Sequence, residues 1–262
     1  MKLSFLIVPP LLLLALAACK EEEANLTGAA GTTQPATTET ASAPAAPAGT
    51  INVHVTWPSA EHAVDVPLTE DVYRENYMLV IDTSGSMGEQ CSGEDKIVTA
   101  RAAAIDFVSN IPPGAAIGLV EFGNGSNGGV STVVPLGVNQ HQMVRDAIAN
   151  LTPGGRTPMA GGIAAGYQEL VRGGSAQLGY GTYAMAILGD GAPANAGQTI
   201  ANIDFMVQQT RIDVTTIGFC TSLNEVLERQ GVSYYPATNL DELSQAFASV
   251  LAEAEEFDDQ GF

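Results

Sequence analysis

Basic residues are scarce in this sequence, where 10 lysines and arginines stand against 29 aspartates and glutamates and the formal net charge is −19. The few basic residues form no stripe or cluster along the chain. Binding to nucleic acid or to an anionic lipid surface is therefore disfavoured, because both depend on grouped positive charge. Most of the acidic excess is expected to serve solubility or life in a salty habitat, and it also raises the local concentration of divalent cations.

The residues and motifs of common catalytic sites are also missing. The three histidines, His54, His62 and His141, form no cluster with each other or with cysteine, so a histidine-based metal or catalytic site is disfavoured. Neither His-Glu-x-x-His nor a phosphate-binding P-loop occurs. Ser84, not glycine, stands two residues before Ser86, so the Gly-x-Ser-x-Gly turn of serine hydrolases is absent. We expect a protein that is not an enzyme, with a metal-assisted hydrolase as the alternative.

The start of the chain has the features of a secretory signal. Lys2 precedes a mostly apolar run of sixteen residues that ends at Ala18, which is short for a membrane span. The run ends Leu-Ala-Ala-Cys at Cys19, which resembles the bacterial lipobox; an ordinary signal peptide with an incidental cysteine is the alternative. The resemblance implies that Cys19 is lipidated and that the protein is anchored in the bacterial cell envelope. Lys20, where an inner-membrane protein would have aspartate, favours the outer membrane, on its periplasmic or surface face.

Composition divides the chain into five segments. Residues 1–18 are the predicted lipoprotein signal peptide, and residues 19–50 form an Ala/Thr/Pro-rich tether that cannot bury enough apolar surface to offset its ordering entropy. Such a tether spans about 30 Å and holds the folded part away from the membrane. Residues 51–75 begin with alternating apolar and polar side chains, which predicts an added strand. The main domain is expected at 76–254, followed by an acidic tail at 255–262.

The stretch from Met78 to Gly88, MLVIDTSGSMG, combines a buried strand with a group of oxygen-bearing side chains. Four apolar residues in a row are typical of a strand that is covered on both faces of a parallel sheet. Asp82, Ser84 and Ser86 follow where that strand ends, so one carboxylate and two hydroxyls are expected to converge on one point. Oxygen-only ligands of this kind suit a hard divalent cation such as Mg²⁺.

Two later segments fit the same point. The loop GGRTPM presents Thr157 just before a helical pattern, and a second apolar strand ends in Asp190. The order Asp-x-Ser-x-Ser, then Thr, then Asp resembles the metal-ion-dependent adhesion site (MIDAS) of the von Willebrand factor type A (vWA) family, over residues 76–254. The resemblance implies a divalent cation, Mg²⁺ first and Mn²⁺ or Ca²⁺ as alternatives. Its ligands would be five residues: Asp82, Ser84, Ser86, Thr157 and Asp190.

The same resemblance implies a function. An ion that is held by so few protein ligands keeps an open position, which a glutamate or aspartate of a protein partner completes. We therefore expect cation-dependent binding of a protein partner, and the alternative is a scaffold for envelope or pilus assembly with a structural ion only. Arg156, beside Thr157, is expected in solvent, with an ion pair to Asp190 or to a partner's acid as alternatives.

Strand and helix patterns alternate along the main domain, which predicts an α/β fold with a mostly parallel sheet and helices on both faces. The vWA resemblance adds a doubly wound, six-stranded sheet. A glycine-rich link at 123–129 predicts an antiparallel hairpin, with an edge strand at 130–136. Helices are expected at 96–110, 139–151, 158–171, 198–209 and 222–230, with Thr157 as the N-cap of the third. A last helix carries the apolar stripe Leu240, Leu243, Phe247, Val250 and Leu251, and residues 253–262 are expected to fray.

Cys91 and Cys220 remain once the lipid-bearing Cys19 is set aside, and both follow elements that end at the carboxyl edge of the predicted sheet. An even pair of cysteines in an oxidising envelope predicts a disulfide that braces the metal-binding face. Two unpaired buried cysteines are the alternative.

Overall fold

The computed structural model describes residues 57–58, 66–127, 129–221 and 224–259. The predicted signal peptide, Cys19 and the tether lie outside the described residues, as does the strand predicted from residue 51 except for its end at Trp57. Trp57 packs edge-on against Tyr183 of the main domain, with ring centroids 4.8 Å apart. In the described part of the chain, no helix has both the length and the apolar character needed to cross a membrane.

One six-stranded sheet forms the centre of the main domain. Its strands are β1 (Glu75–Asp82), β4 (Ala116–Gly125), β5 (Gly129–Val138), β6 (Thr182–Gly189), β7 (Ile212–Phe219) and β8 (Ser233–Ala237). A separate short hairpin consists of β2 (Gln90–Cys91) and β3 (Glu94–Asp95). The order across the sheet is β5-β4-β1-β6-β7-β8, and only β4 and β5 pair antiparallel. The predicted mostly parallel sheet with one antiparallel edge strand is therefore confirmed.

Helices cover both faces of this sheet. They are α1 (Lys96–Asn110), α2 (His141–Ala149), α3 (Met159–Ala176), α4 (Ala196–Gln209), α5 (Asn224–Leu227) and α6 (Leu240–Asp259). Alternate residues of β1 enter two separate apolar clusters, as expected of a strand covered on both sides. Leu79 and Ile81 pack in the cluster that contains α1, α2 and α6, whereas Met78 and Val80 pack in the cluster that contains α3 and α4. The uninterrupted apolar run before Asp82 follows from this double burial.

The start of α3 differs from the prediction. Pro158, not Thr157, occupies the N-cap position, and the helix begins at Met159. The backbone of Pro158 has φ −78° and ψ 53°, which is not helical, so the first turn starts one residue later than predicted. Thr157 instead accepts a hydrogen bond at its carbonyl oxygen from Ala194 N, at 2.9 Å. The prediction of Thr157 as an N-cap was therefore wrong, and this residue belongs to the loop that precedes the helix.

Further elements have other lengths than predicted, and α3 itself continues to Ala176, five residues beyond its predicted end at residue 171. The helix predicted at 222–230 is described only as the single turn α5, because Val232 N bonds to Arg229 O and Gly231 has φ +80°, which closes a turn there. The predicted fraying from Glu253 is also wrong, because α6 continues to Asp259. Glu253 accepts a hydrogen bond from Tyr235 Oη at 3.0 Å, and Ala254 is buried, so this part of the helix is fixed to the domain. Leu240 lies outside the buried stripe, at 43% exposure.

The hairpin between β4 and β5 is tighter than the predicted seven-residue glycine link. Strand pairing continues through Gly125 and Gly129, so the two strands reach almost to the turn. Both strands are therefore longer than the sequence indicates. The extra length matters for the next section, because Gly123 and Asn124 at the end of β4 lie directly beside the loop that follows β1.

Candidate functional site

The two candidate aspartates lie at the ends of adjacent strands. β1 and β6 pair in parallel, with Ile81 opposite Leu188. Asp82 is the last residue of β1, and Asp190 directly follows the last residue of β6. Both carboxylates are buried at the carboxyl edge of the sheet, where ligands bind in folds of this class. Both aspartates therefore lie at the carboxyl ends of buried strands, as the apolar runs of the sequence predict.

Asp82 has one satisfied carboxylate oxygen and one that lacks a partner. Its Oδ1 accepts a hydrogen bond from Ser84 N at 2.7 Å. Its Oδ2 is buried and has no hydrogen-bond partner among the described residues. Desolvation raises the pKa of Asp82 to about 7, although the hydrogen bonds from Ser84 act in the opposite direction. A buried carboxylate oxygen of this kind is costly unless a cation or a donor neutralises it.

The two serines link Asp82 to Asp190 through hydrogen bonds. Ser86 Oγ donates to Asp190 Oδ1 at 2.8 Å, and the Oγ atoms of Ser84 and Ser86 are 3.1 Å apart. Because the single hydroxyl hydrogen of Ser86 goes to Asp190, Ser84 is the donor in the bond between the serines. Four of the five predicted site residues therefore lie together: Asp82, Ser84, Ser86 and Asp190.

A short turn fixes the position of Ser86. Residues Gly85–Gly88 form one turn of 3-10 helix, in which Met87 N donates to Ser84 O at 3.0 Å. The side chain of Met87 is fully buried in the apolar cluster under α1. The turn is therefore anchored in the core by a residue of the DTSGSMG stretch whose importance is not evident from the ligand pattern alone.

Thr157, the fifth predicted residue, lies in a loop that contacts both halves of the site. Gly154 N donates to Thr83 O at 2.8 Å, and Gly85 N donates to Gly155 O at 3.2 Å. The carbonyl of Thr157 is bonded on the other side to the loop after Asp190. Within the described part of the molecule, no hydrogen bond joins the Thr157 hydroxyl to the other four side chains. The structure thus places the Thr157 loop at the site, and the role of its hydroxyl as a ligand stays a prediction.

Gly123 explains how closely these loops pack, and the sequence analysis assigned it only to a turn. It has φ +135°, and a Cβ added there would lie 2.2 Å from Ser84 N. Thr83 fastens the same contact, because its N donates to Phe122 O at 2.7 Å and its Oγ1 accepts from Asn124 N at 3.1 Å. Gly155, at φ +74°, packs against Gly123 O in turn. The glycines therefore serve backbone packing around the site.

Replacing Gly123 with alanine is expected to lower the free energy of unfolding by at least about 2 kcal/mol, because the added Cβ meets backbone atoms that cannot move independently. Gly93→Ala is the matched control, since Gly93 also has positive φ (+96°) but has no atom within 4 Å of the added Cβ. That control should cost about 1 kcal/mol, from backbone strain alone. Urea unfolding of both variants measures the difference, and equal losses would contradict the packing role of Gly123.

Lys96 is the functional-site residue that sequence reasoning missed. Its Nζ lies 2.9 Å from Asp190 Oδ2 and 3.6 Å from Glu89 Oε2, and the residue is buried. Arg156, which the sequence offered as a possible partner of Asp190, is exposed. A signal for Lys96 was present, because it stands four residues before Ala100 and seven before Ala103, on the apolar stripe of α1. A lysine on such a stripe needs a buried acid as its partner.

Cys91 and Cys220 are joined by a disulfide, across a sequence separation of 129 residues. The bridge connects the hairpin of β2 and β3 to the residue that follows β7. Ser92 Oγ donates to Thr238 O at 2.7 Å beside the bridge. The hairpin begins one residue after Glu89 and ends one residue before Lys96, so the disulfide holds the segment that carries Lys96 and its second, exposed partner Glu89.

The donor set fits a hard divalent cation. Among the described residues there is no cluster of three or more His, Cys, Asp or Glu side chains, so a metal site here would depend on hydroxyl oxygens as well as on the two carboxylates. The buried, unpartnered Asp82 Oδ2 and the neighbouring hydroxyls are oxygen ligands. Glycines flank Asp190 on both sides: a Cβ at Gly191 would lie 3.4 Å from Ser86 Oγ, and one at Gly189 would lie 3.6 Å from Asp82 Oδ2 and 2.7 Å from Met159 Cε.

Comparisons with known proteins concern the family and the fold of the chain. Residues 77–178 match the sequence profile of the von Willebrand factor type A domain. No curated protein matches the chain. Among solved structures, a von Willebrand factor type A protein from Catenulispora acidiphila aligns with a TM-score of 0.55 at 16% identity, over 76% of this chain and 50% of that one.

Two other similar structures are those of a minor pilin and of a thread matrix protein. The D319A mutant of the PilB minor pilin from Streptococcus sanguinis aligns with a TM-score of 0.54 at 15% identity, over 71% of this chain and 62% of that one. Proximal thread matrix protein 1 from the mussel byssus, with its MIDAS motif occupied by zinc, aligns with a TM-score of 0.51 at 17% identity, over 71% and 47%. The chain thus spans less than two thirds of each, and at these identities the likeness concerns the fold. With the family match, the resemblance seen in the sequence is confirmed for residues 77–178, which match the von Willebrand factor type A domain, and the neighbouring structure shows the same fold.

Proposed function

We propose that this chain is a lipid-anchored protein of the bacterial cell envelope whose vWA domain binds a protein partner in a divalent-cation-dependent way. The observation that carries the proposal is the buried Asp82 Oδ2, which has no partner among the described residues and lies beside two linked serine hydroxyls. A protein that keeps such an atom out of water without a donor gains stability when a cation binds there. The site therefore fits a MIDAS made of the five predicted residues: Asp82, Ser84, Ser86, Thr157 and Asp190.

Each residue has a stated part in this proposal. Asp82 would supply the carboxylate oxygen, and Ser84 and Ser86 the hydroxyl oxygens, that hold the ion. Asp190 orients Ser86 by accepting its hydrogen bond. Thr157 would approach from the loop beside Ser84. The ion itself, when bound, supplies a positively charged open position. We propose Mg²⁺, with Mn²⁺ or Ca²⁺ as alternatives, because all the donors are oxygen; the zinc in the mussel protein makes Zn²⁺ worth including in tests.

The partner would present a glutamate or aspartate carboxylate. Pilus and thread proteins among the structural neighbours support a role in adhesion or in extracellular assembly. The anchor would be a lipid on Cys19, with the domain held off the membrane by the tether and, by the proposal, facing the periplasm or the cell surface at the outer membrane. The net charge of −19 argues against nucleic acid as a partner.

A scaffold with a structural ion only is the second candidate, and one observation favours it. A cation beside the buried Asp82 Oδ2, which has no partner among the described residues, would stabilise the folded domain whether or not a partner adds a carboxylate. We further propose that the protein is not an enzyme. Ser86 donates to a carboxylate that is engaged by an ammonium group, and a carboxylate in that state is a poor acceptor for a serine proton.

The test is a pull-down from envelope extracts with the domain immobilised, carried out with Mg²⁺, Mn²⁺, Ca²⁺ or Zn²⁺ and with chelator. The proposal predicts a partner that is retained with a divalent cation, released by chelator, and absent with Asp82→Asn. A partner retained equally in chelator would support the scaffold instead. Turnover of generic ester or phosphoester substrates that Asp82→Ala abolishes would support a hydrolase and contradict both.

A further inference from the structure

A buried lysine beside a proposed cation site is unexpected, because it places a positive charge where another positive charge should bind. Lys96 Nζ lies 2.9 Å from Asp190 Oδ2, and the two side chains are 9% and 0% exposed. Water and salt therefore screen this charge only weakly. Glu89, the second acid near Lys96, is 72% exposed and 3.6 Å away, so its effect on the site is largely screened by solvent.

The hydrogen bonds show which oxygens of the two carboxylates already have a donor from the chain. Asp190 Oδ2 accepts a hydrogen bond from Lys96 Nζ, and Asp190 Oδ1 accepts one from Ser86 Oγ. Asp82 Oδ1 is taken by Ser84 N. Of the four carboxylate oxygens, only Asp82 Oδ2 has no partner among the described residues. A cation that enters the site could therefore bind Asp82 Oδ2 without displacing a hydrogen-bond donor of the chain. The charge of the other carboxylate, Asp190, is already neutralised by Lys96.

We infer that Lys96 sets the charge balance of the MIDAS, so that the site holds its cation weakly and the loaded site prefers an anionic carboxylate over a neutral ligand. This inference rests on the proposed function. With both aspartates ionised, Lys96 leaves the empty site with a net charge of −1 and the loaded site with a net charge of +1. Without Lys96 the loaded site would be neutral. The partner's carboxylate then replaces the negative charge that Lys96 cancels.

The backbone around Lys96 keeps the ammonium group in place. Lys96 N donates to Glu89 O at 2.9 Å, which closes the hairpin of β2 and β3 at its base. The disulfide of Cys91 fastens the same hairpin to the residue after β7. Lys96 is also the first residue of α1, and its neighbour Ile97 is buried in the core. The charge is therefore fixed beside Asp190, so Lys96 is a positioning residue for the site.

The test is a Mn²⁺ titration, in which electron paramagnetic resonance reports the free ion. Lys96→Gln and Lys96→Met remove the charge and should bind Mn²⁺ at least about tenfold more tightly than the wild type. Lys96→Arg keeps a positive charge, so its affinity for Mn²⁺ should lie close to that of the wild type and below that of the two neutral variants. Arg156→Gln is the matched control: it removes the same charge from an exposed position near the site and should change the affinity by less than about threefold.

A second measurement tests the preference for an anion. In the Mn²⁺-loaded protein, water-proton relaxation reports the displacement of ion-bound water by acetate, with neutral acetamide as the comparison. Lys96→Gln should require at least about threefold more acetate than the wild type for half displacement, whereas the response to acetamide should be unaltered. An equal shift for the two ligands would contradict the inferred selectivity.

The possible failures can be told apart. No Mn²⁺ binding by the wild type would defeat the proposed function itself. Normal wild-type binding with Lys96→Gln no tighter than Arg156→Gln, or weaker than the wild type, would overturn the role of Lys96 only. A neutral variant that fails to fold in chelator should fold in Mn²⁺, because the ion would then supply the missing charge. If it remains unfolded in Mn²⁺, the inference is also overturned.

Discussion

Replacing Asp82 with asparagine is expected to stabilise the ion-free domain and at the same time to abolish its response to Mg²⁺. Asparagine keeps an acceptor for Ser84 N but carries no charge into the buried position. The pKa of Asp82 is raised from 3.8 to about 7 because burial disfavours its ionised form. A shift of that size corresponds to a cost on the order of 4 kcal/mol when the carboxylate is ionised in the folded state.

The pH dependence of stability follows from the sign of this shift. The raised pKa means that the folded state binds the proton more tightly than the unfolded state does. Ionised Asp82 therefore costs its full amount above pH 7, and the cost fades as the pH falls through about 7 towards 4. In chelator, the unfolding free energy of the wild type should rise between pH 8 and pH 6 relative to Asp82→Asn, which lacks the titrating group.

Urea unfolding at pH 8 measures both effects. In chelator, Asp82→Asn should be more stable than the wild type by about 2–4 kcal/mol, and Mg²⁺ should stabilise only the wild type. Asp106→Asn, at an exposed position of α1, is the control for the loss of one negative charge and should behave like the wild type. An Asp82→Asn variant that is less stable in chelator, or that still gains stability from Mg²⁺, would refute the assignment of Asp82.

Removing the disulfide is the second change with a large expected effect. The double variant Cys91→Ser/Cys220→Ser should lose about 4–5 kcal/mol of unfolding free energy, because the bridge closes a loop with a sequence separation of 129 residues and so restricts the unfolded chain. Urea unfolding of the oxidised wild type and of the double variant gives this difference. A loss below about 1 kcal/mol would show that the bridge does not restrict the unfolded chain.

Thiol titration provides an independent check of the pairing. The unreduced wild type, unfolded in denaturant, should show no free thiol from Cys91 or Cys220. Two free thiols from these residues would rule the bridge out in the isolated protein. The Cys91→Ser/Cys220→Ser variant also tests whether the hairpin of β2 and β3 supports the site. Without the disulfide, the hairpin is no longer joined to the residue after β7, and the pairing of Lys96 with Asp190 should weaken.

The parts of the site that the sequence predicted are those set by one strand and its end. Asp82 and Asp190 follow apolar runs, and a run buried on both faces of a parallel sheet must end at the edge where its chain leaves the core. Ser84 and Ser86 follow from their spacing after Asp82. The mostly parallel direction of the strands was also predictable, because alternating strand and helix patterns favour a parallel sheet, whereas the six-stranded, doubly wound form followed from the vWA resemblance.

The parts that were missed depend on contacts between residues distant in sequence. Lys96 and Asp190 are separated by 94 positions; the apolar stripe of α1 indicates that Lys96 needs a buried acid, but nothing local to either residue identifies Asp190 as that acid. Gly123 resembled any other glycine of a turn, and only the tertiary structure shows that it touches Ser84 N. The N-cap of α3 was misplaced because Thr157 bonds to the distant Ala194 through its backbone. Long-range packing of this kind overrides local helix signals.

Lys96 changes what the vWA domain is expected to do with an ion. A site with two free carboxylates would hold a divalent cation tightly by itself. Here one carboxylate is neutralised by the chain, so the ion and a partner's acid are expected to complete each other. The scaffold alternative makes the opposite prediction, since a structural ion should bind tightly without any partner. The affinity for the ion alone therefore distinguishes the two functions.

The most direct measurement is anomalous X-ray diffraction from crystals of the domain grown with Mn²⁺. The account predicts one anomalous peak at the carboxyl ends of β1 and β6, within bonding distance of Asp82 Oδ2 and of the hydroxyls of Ser84 and Ser86. The same crystals should show Lys96 still beside Asp190. An absence of signal at this position, or a single ion bound elsewhere on the acidic surface, would contradict the central claim.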